Sequence, residues 1–365
     1  MSSDLLSSLQ SRADAAATEL ERWTLRAQWA CAAARLGQID LARAEITKLR
    51  SHNITYAPTL TAWIFLAEGT VDHFESLSTA AVDRFKRAHS LAIAIGDAEI
   101  RSFAAAWIGA SEFLMAQYEA ACVHAAEAIL HAPTTGAPAL TRAHLVLANC
   151  LNAVGEIQRA SVHYTRSRQF AVEAHDISMQ SAILYNVAAF HISRISLEDA
   201  FDEPCNVQLG TATLELNSID NLDNGIGLGS LRAMVPLLRA QLHLVERHWT
   251  AAEAIYASSI GEAATHGQLR LAPRYLAEQA HCLAEMGAHE KAIDVVSQAE
   301  SQLIDRTDMD DRAAYHARLS RCLSKLGRVE DAGAHMQTAI SSRNAFTKFQ
   351  SEHRERIASI AMTAA

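Results

Sequence analysis

Histidine is the residue type most able to do chemistry in this chain, with 17 copies. A metal enzyme announces itself by two histidines one helical turn apart beside a carboxylate, as in HExxH. His124 and His131 are seven residues apart, and His243 and His248 are five apart. Neither pair has the i, i+4 spacing of a continuous helix, so both are read as solvated or hydrogen-bonded side chains. The six cysteines (Cys31, Cys122, Cys150, Cys205, Cys282 and Cys322) form no CxxC pair. Five lie in helical patterns, as reduced thiols used as small apolar residues do. Gly225-Ile-Gly-Leu-Gly229 has neither the spacing nor the preceding strand of a dinucleotide loop. Asp220 to Gly225 resembles the start of a calcium loop, but Leu222 stands where an oxygen ligand is required and no Glu closes the loop. No GxSxG elbow, kinase loop or P-loop occurs. The expectation is a non-enzymatic protein with no cofactor and no metal.

The bulk properties narrow the ligand class. The net charge of −9, from 32 Lys and Arg against 41 Asp and Glu, repels a polyphosphate backbone and argues against direct nucleic-acid binding. Met1 to Leu20 lacks a basic start followed by an apolar block, and no apolar stretch is long enough to span a membrane. A cytoplasmic protein is expected. Only 15 Gly and 6 Pro punctuate 365 residues, which predicts long helices and short turns.

Those helices repeat. Arg35-Leu-Gly-Gln-Ile-Asp-Leu-Ala42, Ala153-Val-Gly-Glu-Ile-Gln-Arg-Ala160, Glu285-Met-Gly-Ala-His-Glu-Lys-Ala292 and Lys325-Leu-Gly-Arg-Val-Glu-Asp-Ala332 each place Ala five residues after Gly. The Gly suits a left-handed helix end, and the Ala suits a close helix crossing. The Ala register runs Ala42, Ala81, Ala121, Ala160, Ala200, Ala252, Ala292, Ala332, with one interval about twelve residues too long. Twelve residues before each Ala stands a small residue: Ala30, Gly69, Gly109, Ala148, Ala188, Ala240, Ala280 or Ser320. Cys150, Cys282 and Cys322 share another column, which marks them as core positions.

These columns, with an aliphatic or aromatic residue two after the turn (Ile39, Tyr118, Ile157, Trp249, Val329) and a tyrosine four after the Ala (Tyr164, Tyr256), resemble the tetratricopeptide repeat over nearly the whole chain. The period is near 40 instead of the usual ~34. Ser90-Leu-Ala-Ile-Ala-Ile-Gly-Asp97 is similar to long repeats in the sensor regions of bacterial transcription activators, peptide-pheromone receptors and diguanylate cyclases. The resemblance implies an all-α, right-handed superhelical solenoid of about eight helix hairpins with a C-terminal capping helix. Repeats 1–5 are expected over residues 1–200, an irregular insertion or hinge over 201–230 in which Ala212 to Leu222 can form a helix that lengthens the fifth repeat, repeats 6–8 over 231–345 and the capping helix and tail over 346–365. No output module is evident, so a sensor or adaptor in bacterial signalling is implied.

In such a fold the first helix of each pair lines a concave groove. The residues around the small column that face it are Trp63, Phe103, Arg142 and Asn149 in the N-terminal half. Tyr185, Gln241, Arg274, His281 and Arg321 follow in the C-terminal half. In the tetratricopeptide resemblance, the Asn149 column meets a peptide backbone or terminal carboxylate. The expected partner is a protein segment or peptide, with a homodimer through exposed helix faces left open. The alternative is a small-molecule-responsive regulator whose apolar pocket lies among the N-terminal aromatics.

Overall fold

The computed structural model describes residues 4–51, 57–76, 79–203, 209–226, 234–263, 271–304 and 307–363. Among them are seventeen α-helices and no strand. None is long and apolar enough to cross a membrane. The chain is a helical-repeat solenoid of successive hairpins, divided by its contacts into two units. Unit one comprises residues 1–183, 226–230 and 352–365, and unit two residues 184–225 and 231–351.

Unit one begins with α1 (Asp4–Asp14). Four hairpins follow: α2 (Glu19–Arg35) with α3 (Ile39–Ser51), α4 (Pro58–Ser76) with α5 (Thr79–Ile95), α6 (Ala98–Leu114) with α7 (Tyr118–His131), and α8 (Ala137–Ala153) with α9 (Ile157–Glu173). The long helix α10 (Ile177–Ala200) then carries the chain into unit two. There α11 (Leu209–Ile226) completes its hairpin. It is followed by α12 (Val235–Val245) with α13 (Trp249–Ala263), α14 (Ala272–Glu285) with α15 (His289–Gln302), and α16 (Met309–Lys325) with α17 (Val329–Thr363). Side-chain caps set several starts. The Thr18 hydroxyl accepts from the Glu21 N–H, and Asp97 accepts from the Ile100 N–H at 3.0 Å.

The turn column of the repeat is a backbone requirement. Gly37, Gly155, Gly287 and Gly327 all have φ near +78°, between +76° and +79°. Ala116 (φ +57°) and Arg247 (φ +64°) occupy the same column without being glycine. The Ala column is a steric requirement: Ala42, Ala121, Ala160, Ala252 and Ala292 are at most 1% exposed, each the fourth residue of its helix. The partner column is as tight. A Cβ on Gly109 would lie 2.9 Å from the Ala121 carbonyl oxygen, and one on Gly69 would lie 2.6 Å from the Phe85 ring.

Three expectations need correction. In the fifth repeat Ala200 is the last residue of α10, and the crossing residue of the second helix is Ala212, fully buried as the fourth residue of α11. The extra residues lengthen α10 to 24 residues. Within 201–230 the helix is longer than the expected 212–222, spanning 209–226, so the apparent calcium and glycine motifs begin inside α11. Residues 204–208, with Cys205, and 227–233 lie outside the described residues. Finally, residues 346–363 are no separate cap but continue the 35-residue α17, burying Ile357, Ala358 and Ala361.

The two columns make opposite predictions for exchanging glycine and alanine. Ala116→Gly relieves a left-handed alanine and should stabilise the protein by ~1 kcal/mol. Gly109→Ala should destabilise it by about 1–2 kcal/mol despite alanine's better helix propensity, because the new methyl meets backbone. Urea unfolding of both variants checks the signs.

Candidate functional site

The structure separates the expected groove residues into three settings. In unit one, Trp63 and Phe103 are buried and lie 5.5 Å apart, centroid to centroid, within the core. They join a cluster around Trp107, which is fully buried and stacks on Phe85 at 5.3 Å. Arg142 lies over the Trp107 ring at 3.5 Å, and its guanidinium donates to the Met179 Sδ at 3.3 Å. It has no ion pair among the described residues, and burial with the neighbouring Arg35 pushes its pKa well below the usual guanidinium range. Arg35 itself pairs with Asp176. Asn149 is buried and accepts from the Tyr164 hydroxyl at 2.8 Å, so this hairpin consumes the carboxamide oxygen expected to face a peptide.

In unit two the lengthened end of α10 reaches α14 and α16. Arg274, 3% exposed, donates to the Asp311 carboxylate at 2.6 Å and to the Ser193 hydroxyl at 2.8 Å. Glu278, fully buried, accepts from Gln241 at 3.1 Å, Tyr256 at 2.7 Å, Ser196 at 3.0 Å and Arg274 at 3.2 Å. Arg318, also fully buried, donates to Asp199 at 2.7 Å and to the Ser196 carbonyl at 3.1 Å. Burial opposes the charge on Arg274, but Glu278 and Asp311 outweigh it and raise its pKa. Gln241 and Arg274 are therefore part of an internal ionic network, and Tyr185 packs partly buried against the core of this unit. None of the three lines the open pocket of this unit.

His281 and Arg321 do line it. The pocket, about 670 Å³, is bounded by Asp202, Arg247, Trp249, His281, Glu285, Ser320, Arg321, Ser324, Lys325 and Met336. That volume suits a small ligand or a few residues of a peptide. Arg321 donates to the Asp199 carbonyl at 2.9 Å and pairs with the exposed Asp202, while Lys325 pairs with Glu285 at 3.1 Å. Arg247 donates to the buried Asp199 carboxylate at 2.8 Å and lies 5.4 Å from the Trp249 ring. His281 is 3% exposed, and its Nδ1 has no hydrogen-bond partner among the described residues. Burial, then Arg318, Arg321, Arg247 and Lys325, lower its pKa to about 2, so the imidazole is neutral.

Sequence reasoning missed Arg247, Trp249 and Lys325 as pocket residues because they sit in a turn or at a helix end beside one, outside the small-column window. The buried charges Glu278 and Arg318 stand two residues before their small residues, Ala280 and Ser320. A charge recurring at that one helical position is the signal that marks them. Another unread column pair holds histidines: His144 and His163 face each other Nδ1 to Nδ1 at 2.9 Å, as do His316 and His335. Burial lowers His144 to about 3 and both His163 and His316 to about 4. Among the cysteines, Cys31, Cys122, Cys150, Cys282 and Cys322 are all buried and free, and burial pushes Cys31 and Cys322 up to about 12.

The chain is similar to the crystal structure of a Rap protein complexed with competence and sporulation factor. The TM-score is 0.57 at 11% identity, and the match covers 95% of this chain and 100% of that one. The likeness is one of fold, and it agrees with the repeat columns in defining a tetratricopeptide-like helical-repeat protein. No protein-family model and no curated protein matches the chain.

Removing the hub of the buried network should be severe. Glu278→Ala leaves Arg274 and three other donors without their acceptor and is expected to cost about 3–5 kcal/mol in urea unfolding, against ~1 kcal/mol for Tyr256→Phe. Acid should also destabilise the fold. His144, His163, His281 and His316 bind protons in the unfolded chain at about pH 6.5 but in the folded chain only near pH 2 to 4. Their contribution is intact above about pH 6.5 and is lost as the pH falls towards 4, by ~1.4 kcal/mol per pH unit for each histidine. Unfolding free energies at pH 7.5, 6 and 5 measure the slope.

Proposed function

We propose that this chain is a non-enzymatic helical-repeat scaffold or sensor of bacterial signalling, and that it holds a short peptide or extended protein segment at the unit-two pocket. The observation that carries the reading is the pocket itself. Arg247, Arg321, Lys325 and Trp249 surround it together with the acids Asp202 and Glu285, and Asp199 at the edge of the buried ionic network fixes Arg247 and Arg321 without a ligand. Preorganised cations offer charge-assisted hydrogen bonds to a carboxylate, and an indole offers a flat apolar face to a neighbouring side chain. The similar Rap protein is described as a complex with competence and sporulation factor, which supports a signalling ligand for this fold. A cytoplasmic location belongs to the same reading.

The unit-one aromatics favour a metabolite pocket less, because Trp63, Phe103 and Trp107 are packed against one another. Arg142 is the competing anchor, since its charge has no carboxylate among the described residues.

Affinity for a library of short peptides, measured by fluorescence anisotropy on wild type, a Trp249→Ala/Lys325→Ala variant and Arg142→Met, tests the reading. The pocket variant should lose about tenfold or more, ~1.4 kcal/mol, with its helical circular dichroism unchanged. Loss confined to Arg142→Met moves the anchor to unit one. Saturable metabolite binding with no peptide binding overturns the peptide reading.

A further inference from the structure

The turn between α12 and α13 differs from its counterparts at three chemically meaningful positions. Glu246 stands where the turns at Gly37, Ala116, Gly155, Gly287 and Gly327 have an apolar residue, Leu36, Met115, Val154, Met286 and Leu326. Arg247 stands in the left-handed column usually given to glycine. Residues four before and one after it are His243 and His248, where the repeat around Gly287 has Leu283 and Ala288 and the one around Gly327 has Leu323 and Arg328. The fold does not require these side chains, since the same turn forms without them.

On a continuous helix, residues five apart point about 140° away from each other. The turn removes that divergence. With Arg247 at φ +64°, the His248 N–H donates back to the His243 carbonyl at 2.8 Å, the six-to-one bond of a Schellman turn. The Nδ1 atoms of His243 and His248 then lie 3.5 Å and 3.3 Å from the same Glu246 carboxylate oxygen. All three donor atoms fall within 4.8 Å of one another. A tetrahedral ion with donors at ~2.0–2.2 Å sets them ~3.3 Å apart, so two of the three separations already match. The Nδ1 of His243 is buried and has no hydrogen-bond partner among the described residues. A bound cation would occupy that lone pair.

We propose that His243, Glu246 and His248 form a binding site for a divalent transition-metal ion, with Zn²⁺ the best match. Two imidazoles and one carboxylate suit Zn²⁺ and its first-row neighbours, whereas Mg²⁺ and Ca²⁺ take all-oxygen sets. Three protein ligands leave a fourth position for water. The ion ties the end of α12 to the start of α13 and so fixes the turn that presents Arg247 and Trp249 to the pocket. The site stands independently of what that pocket binds.

Full-length protein freed of metal with EDTA is titrated with Zn²⁺ by calorimetry and with Co²⁺ by visible absorption. Wild type is compared with His248→Ala and Glu246→Gln, whose side chains are 62% and 33% exposed and carry little packing. One equivalent of ion should bind wild type and show the d–d bands of a low-coordinate Co²⁺ site. Each variant should lose at least about tenfold in affinity, the lower end of what weaker outer-shell changes cost. Zn²⁺ should raise the Tm of wild type only. Absence of stoichiometric binding to wild type, or equal binding by both variants with the ion held by other histidines, overturns the proposal.

Discussion

Two helices of a hairpin can lie against each other only where the side chains between them are small, and the rest of this molecule follows from that constraint. Ala42, Ala121, Ala160, Ala252 and Ala292 are each buried at the start of the second helix of their hairpin, and at Gly109 a methyl group would strike the Ala121 carbonyl. Such crossings pin each second helix to its first at one depth. The turn is then forced to reverse the chain within about three residues, which places one of them in the left-handed region. Spacing of about 40 residues is the length of two such helices and two such turns.

Within that frame, unit two spends its one irregular interval on electrostatics. The lengthened α10 carries Ser193, Ser196 and Asp199 to helices α14 and α16, from 81 to 122 residues further along the chain. Arg274, Glu278 and Arg318 are held there with almost no exposure. Burying charge is costly unless each ion meets its counter-ion and its remaining hydrogen-bonding groups are satisfied. Glu278 meets that condition with four donors. Arg318 meets it in part, its Nε and Nη1 having no hydrogen-bond partner among the described residues. The network specifies one arrangement of α10 against the second half of the unit, and the pocket exists where the network ends.

Unit one handles its charges differently. Arg142 is held by an aromatic face and a thioether, soft partners that satisfy little of its charge. The paired His144 and His163 are kept neutral by burial. Ion pairs and facing histidines occur in both units, and the contrast lies in two arginines: Arg318 meets a carboxylate, whereas Arg142 meets a ring.

The residue columns alone determined the helix class, the phase of the hairpins and the crossing alanines, because backbone reversal and close approach act over a few residues and leave their mark at fixed spacing. They counted His281 and Arg321 among the groove-facing positions, and both residues border the unit-two pocket. They misplaced the fifth crossing, at Ala200 in place of Ala212, because counting residues does not say on which side of a turn an insertion is absorbed. Only the tertiary structure decided which inward-facing positions stay open. Gln241 shares the His281 column and Arg274 the Arg142 column, yet Gln241 is bonded to the buried Glu278 and Arg274 to Ser193 of α10, and a contact across 81 residues has no local spacing to betray it. The approach of His243 to His248 was hidden for a related reason: helical periodicity describes side chains on one axis, and here a left-handed Arg247 ends that axis between them.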